Sequence, residues 1–145
     1  MRLILVGAIS AISVVAALSA TRALAVQDMP TTIDGIPTVC TGVGSSKDDP
    51  RWKDYPVKIV LATTGGADLA NAHVTLTRAG HTLVETDCDG PWVLFKAPPG
   101  QYTATATLNG SGQSHSASFS ASGAGQKEVN ILFNAPSGVP TTEAR

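Results

Sequence analysis

Residues Thr86 to Ala106 read TDCDGPWVLFKAPPGQYTATA. Asp89-Gly90 and Pro99-Gly100 are turn dipeptides, because glycine accepts backbone angles that other residues resist and proline presets φ for a turn. Between and after them, Trp92 to Ala97 and Tyr102 to Ala106 have the aromatic, β-branched and alternating character of strands. The spacing predicts two adjacent antiparallel strands with a tight connection on either side of the first.

The same two-residue period extends outward in both directions. Upstream, Val57, Ile59 and Leu61 alternate with Lys58 and Val60, and Val74 and Leu76 alternate with His73, Thr75 and Thr77 before a turn at Ala79-Gly80; Leu83 to Thr86 returns from it. Downstream, Tyr102, Ala104, Ala106 and Leu108 share one face while Thr103, Thr105 and Thr107 share the other. Asn109-Gly110 is a hairpin signal, Ala117, Phe119 and Ala121 alternate with serines, and a last strand carries Val129, Ile131 and Phe133. About seven short strands separated by glycine-containing turns predict an all-β fold, a small antiparallel β-sandwich. Trp92, Phe95, Tyr102, Phe119 and Phe133 are the large side chains expected to fill its centre.

Before this region the period is lost. Ile33 to Cys40 alternates but is broken by Gly35 and Pro37, which predicts an irregular edge segment, and Thr41 to Ser46 reads as a flexible loop. Ser46 to Tyr55 is the one place for a helix: Asp48 or Asp49 can cap it and Pro50 suits its first position. Trp52 and Tyr55 then either pack that turn onto the sheet or, exposed, form a binding surface together with Trp92.

Arg2, the uncharged apolar run Leu3 to Leu18 and Ala23-Leu24-Ala25 have the form of a secretory signal over residues 1–25. An uncleaved anchor is the alternative, although the run barely reaches the roughly 20 apolar residues that a span needs. Residues 26–134 are then one domain, and 135–145, with Pro136 and Pro140, a disordered tail. Removing Arg2 and Arg22 makes the net charge more negative than the −1 of the whole chain, so no nucleic-acid partner and no polybasic membrane-surface segment is expected. Cys40 and Cys88 are the only cysteines, and in an exported chain they predict a disulfide; two separately buried thiols are the alternative. A redox-active pair lacks its CxxC spacing.

The order of a Gly-containing turn (Ala79-Gly80), an acidic turn (Asp87, Asp89-Gly90), a strand, and Pro98-Pro99-Gly100-Gln101-Tyr102-Thr103 resembles the carboxypeptidase regulatory-like domain, a transthyretin-like prealbumin sandwich. Gly35-Ile36-Pro37, Gly42-Val43-Gly44, Gly90-Pro91-Trp92 and the PPGQYT run resemble, more closely, small exported bacterial proteins of that group that carry no catalytic domain. The resemblance spans Gly35 to Phe133, and PPGxY is its most specific motif. It implies a structural role for Asp89, Gly90, Pro99, Gly100 and Tyr102.

Catalytic patterns are missing from the sequence. The HxxE spacing of metallocarboxypeptidases is not met by His73, His81 or His115, and HExxH is absent, so no metal site is expected. The YRGS signature of transthyretin-like hydrolases is also missing. Asp87-Cys88-Asp89-Gly90 lacks the later oxygen ligands of a calcium loop and reads as a turn whose acid bonds its own backbone. Ser114, Ser116, Ser118 and Ser120 have no nucleophile elbow around them and read as solvated surface. The expectation is a non-enzymatic accessory or binding module of the bacterial cell envelope, periplasmic or secreted, monomeric and without cofactor. Its partner is an unidentified protein, peptide or carbohydrate. The alternatives are a carbohydrate- or peptide-binding module stacking its ligand on Trp52, Tyr55 and Trp92, and a transthyretin-like hydrolase.

Overall fold

The computed structural model describes residues 27–134; the expected signal, 1–25, and tail, 135–145, lie outside them. Among the described residues nine strands form in the order β1 (Thr31–Ile33), β2 (Ile36–Thr41), β3 (Val57–Thr63), β4 (Ala72–Arg78), β5 (His81–Cys88), β6 (Trp92–Phe95), β7 (Gly100–Leu108), β8 (Ser114–Ala121) and β9 (Lys127–Phe133). They build a five-stranded sheet, β1-β2-β6-β3-β9, and a four-stranded sheet, β5-β4-β7-β8. All pairings are antiparallel except β3 with β9, which run parallel.

The all-β sandwich expected from the period is thus present, with two corrections to its strands. The segment read as an irregular edge forms β1 and β2, joined at Asp34 (φ 47°) and Gly35 (φ 83°), and these two raise the count from seven to nine. The second correction concerns the Thr86–Ala106 stretch. Strands β6 and β7 are not a hairpin: β6 lies between β2 and β3 in one sheet, and β7 between β4 and β8 in the other. The chain crosses between layers at Asp89–Pro91 and crosses back at Lys96–Pro99. The physical reason is side-chain demand. Strand β6, WVLF, is apolar on both faces and needs cover on both, whereas β7 alternates with hydroxyls and leaves one face to water.

The expected short helix is two 3-10 turns, Gly44–Asp48 and Pro50–Asp54. Asp49 caps the second, accepting a 2.9 Å bond from the Arg51 N–H, and Pro50 occupies its first position. A turn this short gains too few α-type bonds to outweigh its nucleation.

The main core lies between the sheets. Ile59, Leu61, Val93, Phe95, Ile131 and Phe133 from the first meet Val74, Leu76, Val84, Tyr102, Ala104, Ala106 and Phe119 from the second. Trp92 is not among them: since Val93 and Phe95 face inward, the pleat turns Trp92 and Leu94 to the opposite face of β6. Tyr102 stacks on Phe119 with centroids 5.8 Å apart, and its hydroxyl donates to the Pro98 carbonyl, which anchors the PPGQY corner.

Cys40 on β2 and Cys88 at the end of β5 are bonded to each other, with Cα atoms 5.6 Å apart, so the predicted disulfide joins the two layers. A bond of this kind is consistent with an oxidising surrounding. Gly90 sits against it. A Cβ at position 90 would lie 2.4 Å from the Thr41 carbonyl oxygen, and the Gly90 N–H points at Cys40 Sγ at 3.3 Å. The glycine is required here by close approach rather than by a left-handed angle. Gly90→Ala is expected to destabilise by about 1–3 kcal/mol, the usual range for overpacking a filled interior. Chemical denaturation of the oxidised variant checks this, and an unchanged midpoint would show that the corner relaxes freely.

Candidate functional site

The outer face of the five-stranded sheet carries a second apolar cluster. Val39 and Leu94, both on outward positions of their strands, are covered by Trp52 and Tyr55 from the Pro50–Asp54 turn, with Trp92 at the border. Trp52 and Tyr55 are only 3% and 4% exposed. Their rings meet edge to face at 6.1 Å, and the Trp52 Nε1–H donates to the Ser46 carbonyl at 2.7 Å. Burial pushes the Tyr55 phenol pKa up. Gln126, just before β9, fixes the turn by donating from Nε2 to the carbonyls of Trp52 (2.8 Å) and Tyr55 (3.0 Å).

Of the two arrangements open to Trp52 and Tyr55, packing onto the sheet is the one present, and of the three residues named as a candidate binding surface only Trp92 is substantially accessible. The reason lies in β2 and β6. Each puts an aliphatic side chain on the outer face, and Trp52 and Tyr55 remove that apolar area from water.

Trp92 alone keeps part of its indole accessible, at the wall of a cleft of about 240 Å³. Gly42 supports the ring from one side: a Cβ there would fall 2.6 Å from Trp92 Cγ, and φ at Gly42 is +98°. Lys58, one strand over on β3, lays its ammonium 3.5 Å from the ring centroid and 3.2 Å from Glu128. Lys47 stands 5.7 Å from the same ring and pairs with Asp68 at 2.5 Å. Asp48, Asp49, Lys53, Gln126 and an edge of the nearly buried Trp52 complete the lining. Asp49 is engaged with Arg51, whose guanidinium holds the Asp49 carboxyl below the usual range. Lys53 and Asp48 form no ion pair among the described residues.

Nothing in the spacing of Gly42, Lys47, Lys58 and Gln126 announced this cleft. The period-two reading put Lys58 on the outer face, but not beside Trp92, since that proximity depends on β3 and β6 being neighbours.

The remaining candidates lie apart from it. Asp89 is exposed at the crossing corner, and Pro99 and Gly100 lie on the far sheet's side, where Gly100 faces the Arg78 guanidinium. The serines of β8 pair with the threonines of β7 across the outer face of the four-stranded sheet, Thr103 with Ser118 at 3.1 Å and Thr105 with Ser116 at 2.7 Å. His115 packs on Phe133 with ring centroids 4.9 Å apart. Among the described residues no group of three or more His, Cys, Asp and Glu is placed to hold a metal ion, and no helix is long and apolar enough to cross a membrane.

His73 on β4 is held between two acids of β5. Its Nδ1 lies 2.8 Å from Asp87 and its Nε2 2.7 Å from Glu85. Only the imidazolium has a proton for both bonds; a neutral ring would turn one lone pair toward a carboxylate. Burial pushes the His73 pKa down, but the hydrogen bonds to Asp87 and Glu85 and their charges outweigh it, and the net shift is upward. On its other side His73 faces Thr107 of β7, which is neutral. A raised folded value means that this clamp contributes its full stability below the unfolded imidazole value of about 6.5 and loses it as pH rises through the folded value. Melting between pH 5 and 9 is expected to show an alkaline loss that His73→Asn abolishes. If both proteins show the same profile, the clamp contributes nothing.

No protein-family model and no curated protein matches the chain.

Proposed function

We propose that this protein is an exported, non-enzymatic binding module of the cell envelope, related to carboxypeptidase regulatory-like domains, and that its ligand seats in the cleft beside Trp92. The supporting observation is the mounting of that indole. It is fixed between Gly42 and the Lys58 ammonium, on a sheet tied to its partner layer by a disulfide, and so presents a preorganised apolar edge among charged groups. Such sites bind by combining a small apolar contact with a few placed polar groups. The two-layer scaffold, the Pro98–Tyr102 corner and the disulfide support the family and export parts of this reading.

Titration of the oxidised protein with glycan and peptide panels tests it, read by tryptophan fluorescence and by ¹⁵N indole shifts. The expected result is a larger movement of the Trp92 resonance than of Trp52, whose Nε1–H is held by the Ser46 carbonyl. A protein whose Trp92 signal is indifferent to every panel member does not use this cleft.

A further inference from the structure

Resting on that cleft as the ligand site, we infer that its ligand is a carboxylate-bearing saccharide, engaged one acidic ring at a time. The lining charges are mostly satisfied within the protein: Lys47 by Asp68, Lys58 by Glu128 and Asp49 by Arg51. The two groups left over are Lys53, a cation, and Asp48, an acceptor, both exposed at the cleft. A hydroxylated acid complements this pair. Its carboxylate meets the Lys53 ammonium, its hydroxyls donate to Asp48, and the C–H face or edge of its ring lies on the accessible part of Trp92.

A peptide fits the same groups less well. Its basic side chains or amino terminus would approach Asp48 past Lys53, the cation beside that acceptor left unpaired among the described residues, and an acidic side chain that meets Lys53 brings no hydroxyls to donate to Asp48. The volume, about 240 Å³, is below the usual range for a drug-sized ligand and limits the contact to one ring rather than a whole oligomer. Binding through one ring is weak per site, and a polymer of acidic sugars compensates by repetition.

The experiment uses the oxidised full-length protein and four probes: oligogalacturonate, a neutral galactose oligomer of equal length, an acidic peptide and inorganic phosphate. Calorimetry and indole NMR supply the readouts. Oligogalacturonate is expected to shift the Trp92 resonance and to bind at least tenfold more tightly than the neutral oligomer, with affinity falling as salt is raised. Lys53→Gln, an exposed position that leaves the apolar clusters intact, is expected to reduce that affinity about tenfold, while Ser118→Ala on the opposite sheet leaves it unchanged. Equal binding of the neutral oligomer, or tighter binding of the peptide or of phosphate, at Trp92 overturns the acidic-saccharide inference but leaves the cleft as a binding site. Lack of any Trp92 response to all four probes overturns the inference together with the cleft.

Discussion

Cys40→Ala combined with Cys88→Ala is expected to lower the stability of the folded chain by about 4 kcal/mol. The figure follows from loop closure. The two cysteines are 48 residues apart in sequence, and a cross-link over that separation removes a large share of the unfolded chain's freedom. Two observations argue that the native side does not offset much of this gain. The Cα separation of 5.6 Å lies within the range a disulfide spans without moving the backbone, and both cysteines are buried in the main core. Alanine in place of each half-cystine leaves apolar contacts at those positions and introduces no buried hydroxyl. The check is urea denaturation of the double variant beside the oxidised and reduced parent. Reduced parent and variant should agree with each other and fall well below the oxidised protein. If all three unfold at the same midpoint, the staple has no energetic role and the apolar core between the sheets holds the layers without it.

The disulfide also shows what could be read from the chain and what could not. That Cys40 and Cys88 pair was legible, because the chain has two cysteines and its N-terminus has the form of a secretory signal. That the bond joins different sheets was not. It depends on β2 and β5 belonging to opposite layers, with β6 joining the sheet of β2, and the DG and PG dipeptides that flank β6 look the same whether the chain folds back on its neighbour or changes sheet. The alternation in β4, β7, β8 and β9 specified their buried faces residue by residue, since one side of each is wet. Strand β6 gave no such guide: Trp92, Val93, Leu94 and Phe95 are all apolar, and only packing decides which pair faces the main core. The candidate cleft inherits that ambiguity. Its members come from the loop after β2, the 3-10 turns, β3, β6 and the residue before β9, and no spacing rule connects them before the sheet order is known.

Trp52→Ala is expected to cost about 3–5 kcal/mol, lowering Tm by roughly 12–20 °C for a domain of this size. Trp52 is nearly as buried as the core between the sheets, yet it belongs to a separate cluster of four residues on the outer face. Truncating it returns Val39 and Leu94 to water, removes the edge contact with Tyr55, and takes the Nε1–H bond from the Ser46 carbonyl, which keeps only the Asp49 N–H at 3.2 Å. Trp52→Phe separates these effects. It keeps most of the apolar cover and gives up the hydrogen bond, so a loss of about 0.5–1.5 kcal/mol is expected for the bond, with a further contribution from the smaller ring. The turn that carries Trp52, with its cap, supplies Lys53 and Asp49 to the cleft and the turn before it supplies Asp48, and Gln126 holds the Trp52 turn by its backbone carbonyls. Loosening of the turn in Trp52→Ala should therefore weaken binding at Trp92 even though Trp52, 3% exposed, gives the cleft only an edge. The ordering of the variants decides between packing and recognition. If Trp52→Ala retains the parent Tm to within a few degrees while ligand binding is lost, Trp52 contacts ligand directly and its burial beneath the turn is not the native arrangement.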